Sequence, residues 1–142
     1  MKKKDKLYRA AIQHSQADLP AVFDLLTQAH DAGSHEAAYT LATWYLFGKH
    51  VKKNMKTAVK FLQFAAEGDI AEAHFDLAVC YETGKGIEKD VRKAFLHYME
   101  AALLGDKGAI YEVGRCFYHG VGVEADQELA RIWLSRSEGK KE

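Results

Sequence analysis

Cys116 and His119 stand three residues apart, which on a helix places a thiol and an imidazole on one face. Such a pair could act as a thiolate–imidazole nucleophile or supply half of a zinc site. Zinc takes three or four ligands, and the sequence contains no Cys-x-x-Cys, no His-Glu-x-x-His and no second paired cluster. A nucleophile also needs an orienting group and an oxyanion site, and no residue offers either role. The remaining histidines, at positions 14, 30, 35, 50, 74 and 97, are scattered without ligand spacing. Gly84-Lys85-Gly86 resembles a phosphate cradle but lacks the full glycine–lysine–hydroxyl pattern, and it returns without lysine as Gly120-Val121-Gly122. That is turn chemistry. The sequence predicts no enzyme, no metal and no cofactor.

The elements carrying these residues are set by an internal repeat. At a period of 36 residues, Ala37, Ala73 and Ala109 align, followed by Leu41, Leu77 and Val113, then Ala42, Ala78 and Gly114. Next come Tyr45, Tyr81 and Phe117, then Gly48, Gly84 and Gly120, then Val51, Ile87 and Val123. Asn54, Asp90 and Asp126 follow, then Ala58, Ala94 and Ala130, and finally Phe61, His97 and Trp133. The apolar spacings of four, one and three residues mark one face of a helix. Small residues at 42, 78 and 114 admit a second helix close by, and the glycines end the first helix where a left-handed conformation is cheapest. Asn54, Asp90 and Asp126 are N-cap types for the second helix. Ser34, Asp69 and Asp106 are read as caps of the first helices, with Asp69 and Glu72 forming a capping box.

This predicts helices near 34–47, 54–67, 69–83, 90–104, 106–119 and 126–137. Asp18, Leu25, Ala29 and Gly33 extend the pattern backwards, so 18–32 reads as the second helix of a degenerate leading repeat. Its first helix is expected at 7–14, and Pro20 falls in a first turn, where its missing N–H costs nothing. Ser137-Glu138 replaces the alanine pairs Ala65-Ala66 and Ala101-Ala102, as suits a terminal cap. The expectation is a complete array in one domain, 1–142. It comprises a degenerate repeat at 1–33, repeats at 34–68 and 69–105, and a final repeat with cap at 106–139.

Residues 73–105 carry the clearest motif: Ala73, Leu77, Tyr81, Gly84-Lys85-Gly86-Ile87, Asp90, Lys93-Ala94, Tyr98, Ala101-Ala102 and Gly105. This resembles the Sel-one-like repeat, a relative of the tetratricopeptide repeat, over residues 37–139. The resemblance implies an all-α fold, a right-handed α-solenoid of helix-turn-helix repeats. Ala42 and Ala78 replace a family glycine. His50 stands at the second loop glycine, so a positive φ is expected there, which histidine tolerates better than most residues.

Composition agrees. Twenty-one alanines and a single proline favour long helices. No apolar run approaches the ~20 residues of a spanning helix, and the lysine-rich start has no apolar stretch behind it, so neither membrane nor secretory signal is expected. Zero net charge argues against a nucleic-acid partner. Charge is nonetheless uneven, with a basic run at Lys49, Lys52, Lys53, Lys56 and Lys60 that reads as a solvated edge. Cys80 and Cys116 share a repeat column, too far apart at one helix-packing distance for a disulfide, so two buried free thiols in a cytoplasmic protein are expected.

By analogy with tetratricopeptide arrays, the first helices line a concave groove. The positions expected to face it are Tyr39, Thr43, Phe47, Phe75, Val79, Glu82, Tyr111, Arg115, Tyr118 and His119. Aromatic residues and arginine are those enriched at interface hot spots. The same aromatic ladder serves equally well as packing between neighbouring first helices. The resemblance implies a protein–protein interaction module binding a protein or peptide. Short bacterial members act as adaptors and regulators, and some as immunity proteins against a cognate toxin. Alternatives are an enzyme like the cysteine-rich relatives linked to β-lactam hydrolysis, whose serine–lysine motif is missing here, and a homo-oligomeric scaffold.

Overall fold

The computed structural model describes residues 1–14 and 18–139. Among the described residues there are eight helices and no strand: α1 (Lys3–Gln13), α2 (Leu19–Asp31), α3 (His35–Phe47), α4 (Met55–Glu67), α5 (Ala71–Thr83), α6 (Val91–Leu103), α7 (Lys107–His119) and α8 (Gln127–Ser137). The all-α expectation holds. Seven of the predicted helices begin and end within two residues of those observed, and α1 starts four residues earlier than the apolar pattern indicated. The chain divides into two compact units, Met1–Ile70 with α1–α4 and Ala71–Glu142 with α5–α8.

Capping chemistry explains the regularity. The side chains of Asp18, Ser34, Asn54, Asp90, Asp106 and Asp126 each accept a backbone N–H three residues on, satisfying a donor that the helix leaves orphaned. Gly48, Gly84 and Gly120 end the first helices with φ of 71°, 73° and 74°. The chain then returns the same way each time: the Asn54, Asp90 and Asp126 N–H groups donate to the carbonyls of Tyr45, Tyr81 and Phe117. His50, at φ 62°, takes the left-handed conformation that Gly86 and Gly122 hold at 74° and 70°.

Asp69 departs from the sequence reading. It stands one residue before the column of the caps Ser34 and Asp106. At φ 55° it occupies the left-handed position held by Gly33 at 99° and Gly105 at 95°, and Ile70 takes the N-cap column. One residue of misregister turned a left-handed turn residue into an apparent capping box.

In Met1–Ile70, α2, α3 and α1 bury Ala11, Val22, Leu26, Ala29, Ala37, Leu41 and Trp44 together, with Leu7, Tyr8, Phe23 and Phe61 packed around them. In Ala71–Glu142 the buried set is Ala73, Leu77 and Ala78 of α5, Ala94, Phe95 and Tyr98 of α6, and Ala109, Val113, Cys116 and Phe117 of α7. From α8 only Ala130 is fully buried. Gly114 lets α8 approach, since a Cβ there would lie 2.8 Å from the Leu134 side chain.

Candidate functional site

Helix α7 holds the densest set of candidate residues. Ala109, Val113, Cys116 and Phe117 are fixed in the core, so the opposite side of the helix presents Tyr111 and Tyr118 to solvent, 51% and 52% exposed. Arg115 lies between them, half-buried. Its Nη2 donates to Glu82 Oε1 at 2.7 Å and its Nε donates to Glu112 Oε2 at 2.7 Å. Burial works against the guanidinium charge, but the hydrogen bonds and charges of the two carboxylates outweigh it and raise its pKa above the ordinary arginine range. Tyr98 donates its hydroxyl to the same Glu82 oxygen at 3.0 Å. Burial, reinforced by the Glu82 charge, pushes that phenol well above its usual value. Glu82 and Arg115 therefore clamp α7 to α5, with Tyr98 of α6 as the third member. Charge-assisted bonds of this kind fix geometry.

Two open clefts border this face. One, of about 220 Å³, is lined by Tyr111, Arg115, Tyr118, His119 and Leu134. The second, of about 330 Å³, is lined by Tyr118, Gln127, Arg131, Leu134, Ser135 and Glu138. Four of the predicted groove residues, Tyr111, Arg115, Tyr118 and His119, thus meet at one cleft. Leu134 completes it and was not singled out in the sequence.

The other predicted positions fare differently. Phe75 is half-buried, edge-on to Tyr98 at 5.5 Å, and Val79 is 38% exposed. In Met1–Ile70, Tyr39 and Thr43 are half-buried on α3, and Thr43 donates its hydroxyl to the Thr40 carbonyl at 2.7 Å. Phe47, at the end of α3, is 81% exposed. The lysines of the basic run are exposed, and Lys49 Nζ sits 5.2 Å from the centroid of the buried Trp44 ring.

The thiol–imidazole pair does not assemble. Cys116 points into the core and His119 into solvent, edge-on to Tyr118 at 4.8 Å. Burial, slightly offset by the Arg115 charge, pushes the Cys116 thiol up to about 11, and burial raises Cys80 too. Both cysteines are free and buried, and neither is a thiolate at neutral pH.

A histidine pair went unread in the sequence. His74 Nδ1 and His97 Nδ1 lie 3.0 Å apart, one bearing the shared proton, and Tyr81 stacks on His97 at 5.6 Å. Burial first, then the charges of His74 and Lys93, lowers His97 to about 4. The available signal was columnar: Ala38 and Ile110 flank His74 in the alignment, and Phe61 and Trp133 flank His97. Two apolar columns turn to histidine in the same repeat. Among the described residues no group of three or more His, Cys, Asp or Glu side chains could hold a metal ion.

The Sel1 repeat family model matches residues 35–69, 71–106 and 108–137, which together make up most of the sequence. The chain belongs to the Sel1 repeat family. Sel1 repeats generally mediate protein–protein interaction. A protective antigen of uropathogenic Escherichia coli with this fold aligns at TM-score 0.91 and 24% identity, over 97% of this chain and 31% of its own. A Sel1 repeat protein from Oxalobacter formigenes aligns at 0.91 and 24%, over 97% of this chain and 59% of its own. Cysteine-rich protein B of Helicobacter pylori aligns at 0.64 and 24%, over 75% and 94%. This Sel1 repeat chain thus spans 31% and 59% of the length of those first two relatives. No curated protein sequence matches it. No helix among the described residues is long and apolar enough to cross a membrane.

Proposed function

We propose that this chain is a protein-binding module whose contact surface is built on the solvent side of its first helices, with Tyr111 and Tyr118 of α7 as the principal anchors. The observation behind this reading is that both rings are about half exposed on a helix whose other face is locked in the core, beside an open cleft. Rigid aromatic side chains lose little conformational entropy on binding, and a few such anchors carry most of an interface's free energy. Within Ala71–Glu142, Phe75, Val79 and the Glu82–Arg115 pair flank these anchors; within Met1–Ile70, Tyr39, Thr43 and Phe47 form a surface of their own on α3. His119 is the polar edge.

In its most specific form the partner is a toxin and the chain its immunity protein, in a reducing cytoplasm that suits two free thiols. Affinity capture from the native host, with wild type and a Tyr111→Ala/Tyr118→Ala double variant as parallel baits, tests the module reading. A protein held by wild type and lost by the variant supports it, and equal capture contradicts it. Co-expression of the chain with the product of a neighbouring gene tests the immunity form, through relief of toxicity.

A further inference from the structure

A histidine contact answers acid according to what accepts its hydrogen bond, and the two compact units differ in this. In Met1–Ile70, His35 Nδ1 donates to the Phe64 carbonyl at 2.9 Å. A carbonyl accepts from imidazole and imidazolium alike, so that bond survives protonation. His30 Nδ1 stands 3.4 Å from Asp31 Oδ1, a contact that a proton strengthens. In Ala71–Glu142 the partner of His74 Nδ1 is another imidazole nitrogen, His97 Nδ1, at 3.0 Å. That bond needs one N–H and one bare nitrogen. With both Nδ1 atoms protonated, two donors oppose each other and the bond is lost. Packing does not call for the pair, since Ala38 with Phe61 and Ile110 with Trp133 fill the same columns.

The surroundings oppose a positive charge. His74 is 7% exposed and His97 is half-buried. Tyr81 of α5 lies nearly parallel to His97, with 9° between the planes, and Lys93 Nζ of α6 stands 5.7 Å from the Tyr81 ring centroid. Burial first, then the charges of His74 and Lys93, disfavours the His97 cation. The other helix packed on α6, α7, brings Glu112 and Arg115, but these are bonded to each other and, through Arg115, to Glu82. Tyr81 also borders an open cleft of about 330 Å³ beside Lys89 and Lys93, which brings water to the edge of the pair. We infer that His74 and His97 form an acid-released latch between α5 and α6, through which mild acid opens Ala71–Glu142 and leaves Met1–Ile70 folded. Opening puts both imidazoles in water, where each takes up its proton without opposing the other. Stability in a stacked array is distributed among the repeats, so one stretch can open alone, and the compact units mark its extent.

His97 titrates at about 4 in the closed pair and near the ordinary 6.5 in water, so opening should be favoured about thirtyfold at pH 5 over pH 7.5. The test is amide hydrogen exchange of the full chain at those two pH values, read by mass spectrometry and corrected for the intrinsic pH dependence of exchange. Protection in α5, α6 and α7 should fall about thirtyfold at pH 5, while α2, α3 and α4 change by less than about threefold. The double variant His74→Ala/His97→Phe, which carries the residues of the 34–68 repeat, should keep its protection at pH 5. Its carboxylates are those of wild type, so their own titration cancels in the comparison. Circular dichroism at pH 7.5 checks that the variant is folded. Should it not fold, the imidazole ¹⁵N resonances of the wild-type chain decide the matter. The pattern of one protonated and one bare Nδ1 should persist at pH 5 in the closed form. Ordinary titration of both rings with α5 and α6 still protected overturns the latch. So does loss spread equally over both units, loss that persists in a folded double variant, or no loss at pH 5.

Discussion

Phe75 and Tyr111 hold the same position in consecutive repeats and meet opposite fates. Phe75 of α5 is covered by the start of α7 and backed by Tyr98, whereas Tyr111 of α7 is 51% exposed at the mouth of a cleft. Seven residues on, Glu82 is locked to Arg115 and Tyr118 stands in solvent. The aromatic ladder is therefore packed at Phe75 and exposed at Tyr111. What separates them is whether another helix sits on the column. In a stacked array each repeat buries its neighbour's face, so the same residue type becomes core wherever a neighbouring helix packs on it.

The comparison breaks most severely in the column that both helices bury. Leu77 is 2% exposed, and Leu77→Ala should destabilise by roughly 2–5 kcal/mol, the range for truncating a buried leucine. Thermal unfolding checks it, and a melting temperature within a degree or two of wild type would refute the column assignment. Phe75→Ala should come next, at about 2 kcal/mol given its partial burial, while Tyr111→Ala should cost less than about 0.5 kcal/mol as a surface change. Equal losses from the two variants in urea titrations would erase the distinction between α5 and α7.

The histidine pair sharpens the comparison by pH. His97 titrates near 4 when folded and near the ordinary 6.5 when unfolded. Between those values the unfolded chain binds the extra proton, so stability is full above about pH 6.5 and falls as the pH drops toward 4. The groups involved are His74 and Tyr81 of α5 and Lys93 of α6. His74→Ala with His97→Phe, which installs the residues of the 34–68 repeat, should flatten that slope. Melting temperatures between pH 4 and 8 decide the point, and an unchanged slope in the double variant would exonerate the pair. The smallest effect belongs to the basic run: Lys53→Glu should leave stability within about 0.5 kcal/mol and change only the salt dependence of partner association. A loss of melting temperature comparable to that of Phe75→Ala would show Lys53 to be structural.

The helices were legible because the 36-residue columns report cap, glycine and core positions three times over. Asp69 was misread because an acidic residue before a helix suggests a cap, and only the register of Gly33 and Gly105 shows a left-handed turn. His74 and His97 escaped because each alone looks unremarkable, and their contact depends on packing between α5 and α6. Leu134 escaped because its column is core in every other repeat. Exposure is a property of what stacks on a residue, and residue type does not encode it.

The most direct measurement is the dissociation constant of Tyr111→Ala for the captured partner, taken with its melting temperature. If the exposed face of α7 is the binding surface, affinity should fall by about thirtyfold, corresponding to ~2 kcal/mol at a true anchor, while the melting temperature stays put. An unchanged dissociation constant, or a variant that unfolds while its residual binding stays intact, would contradict it.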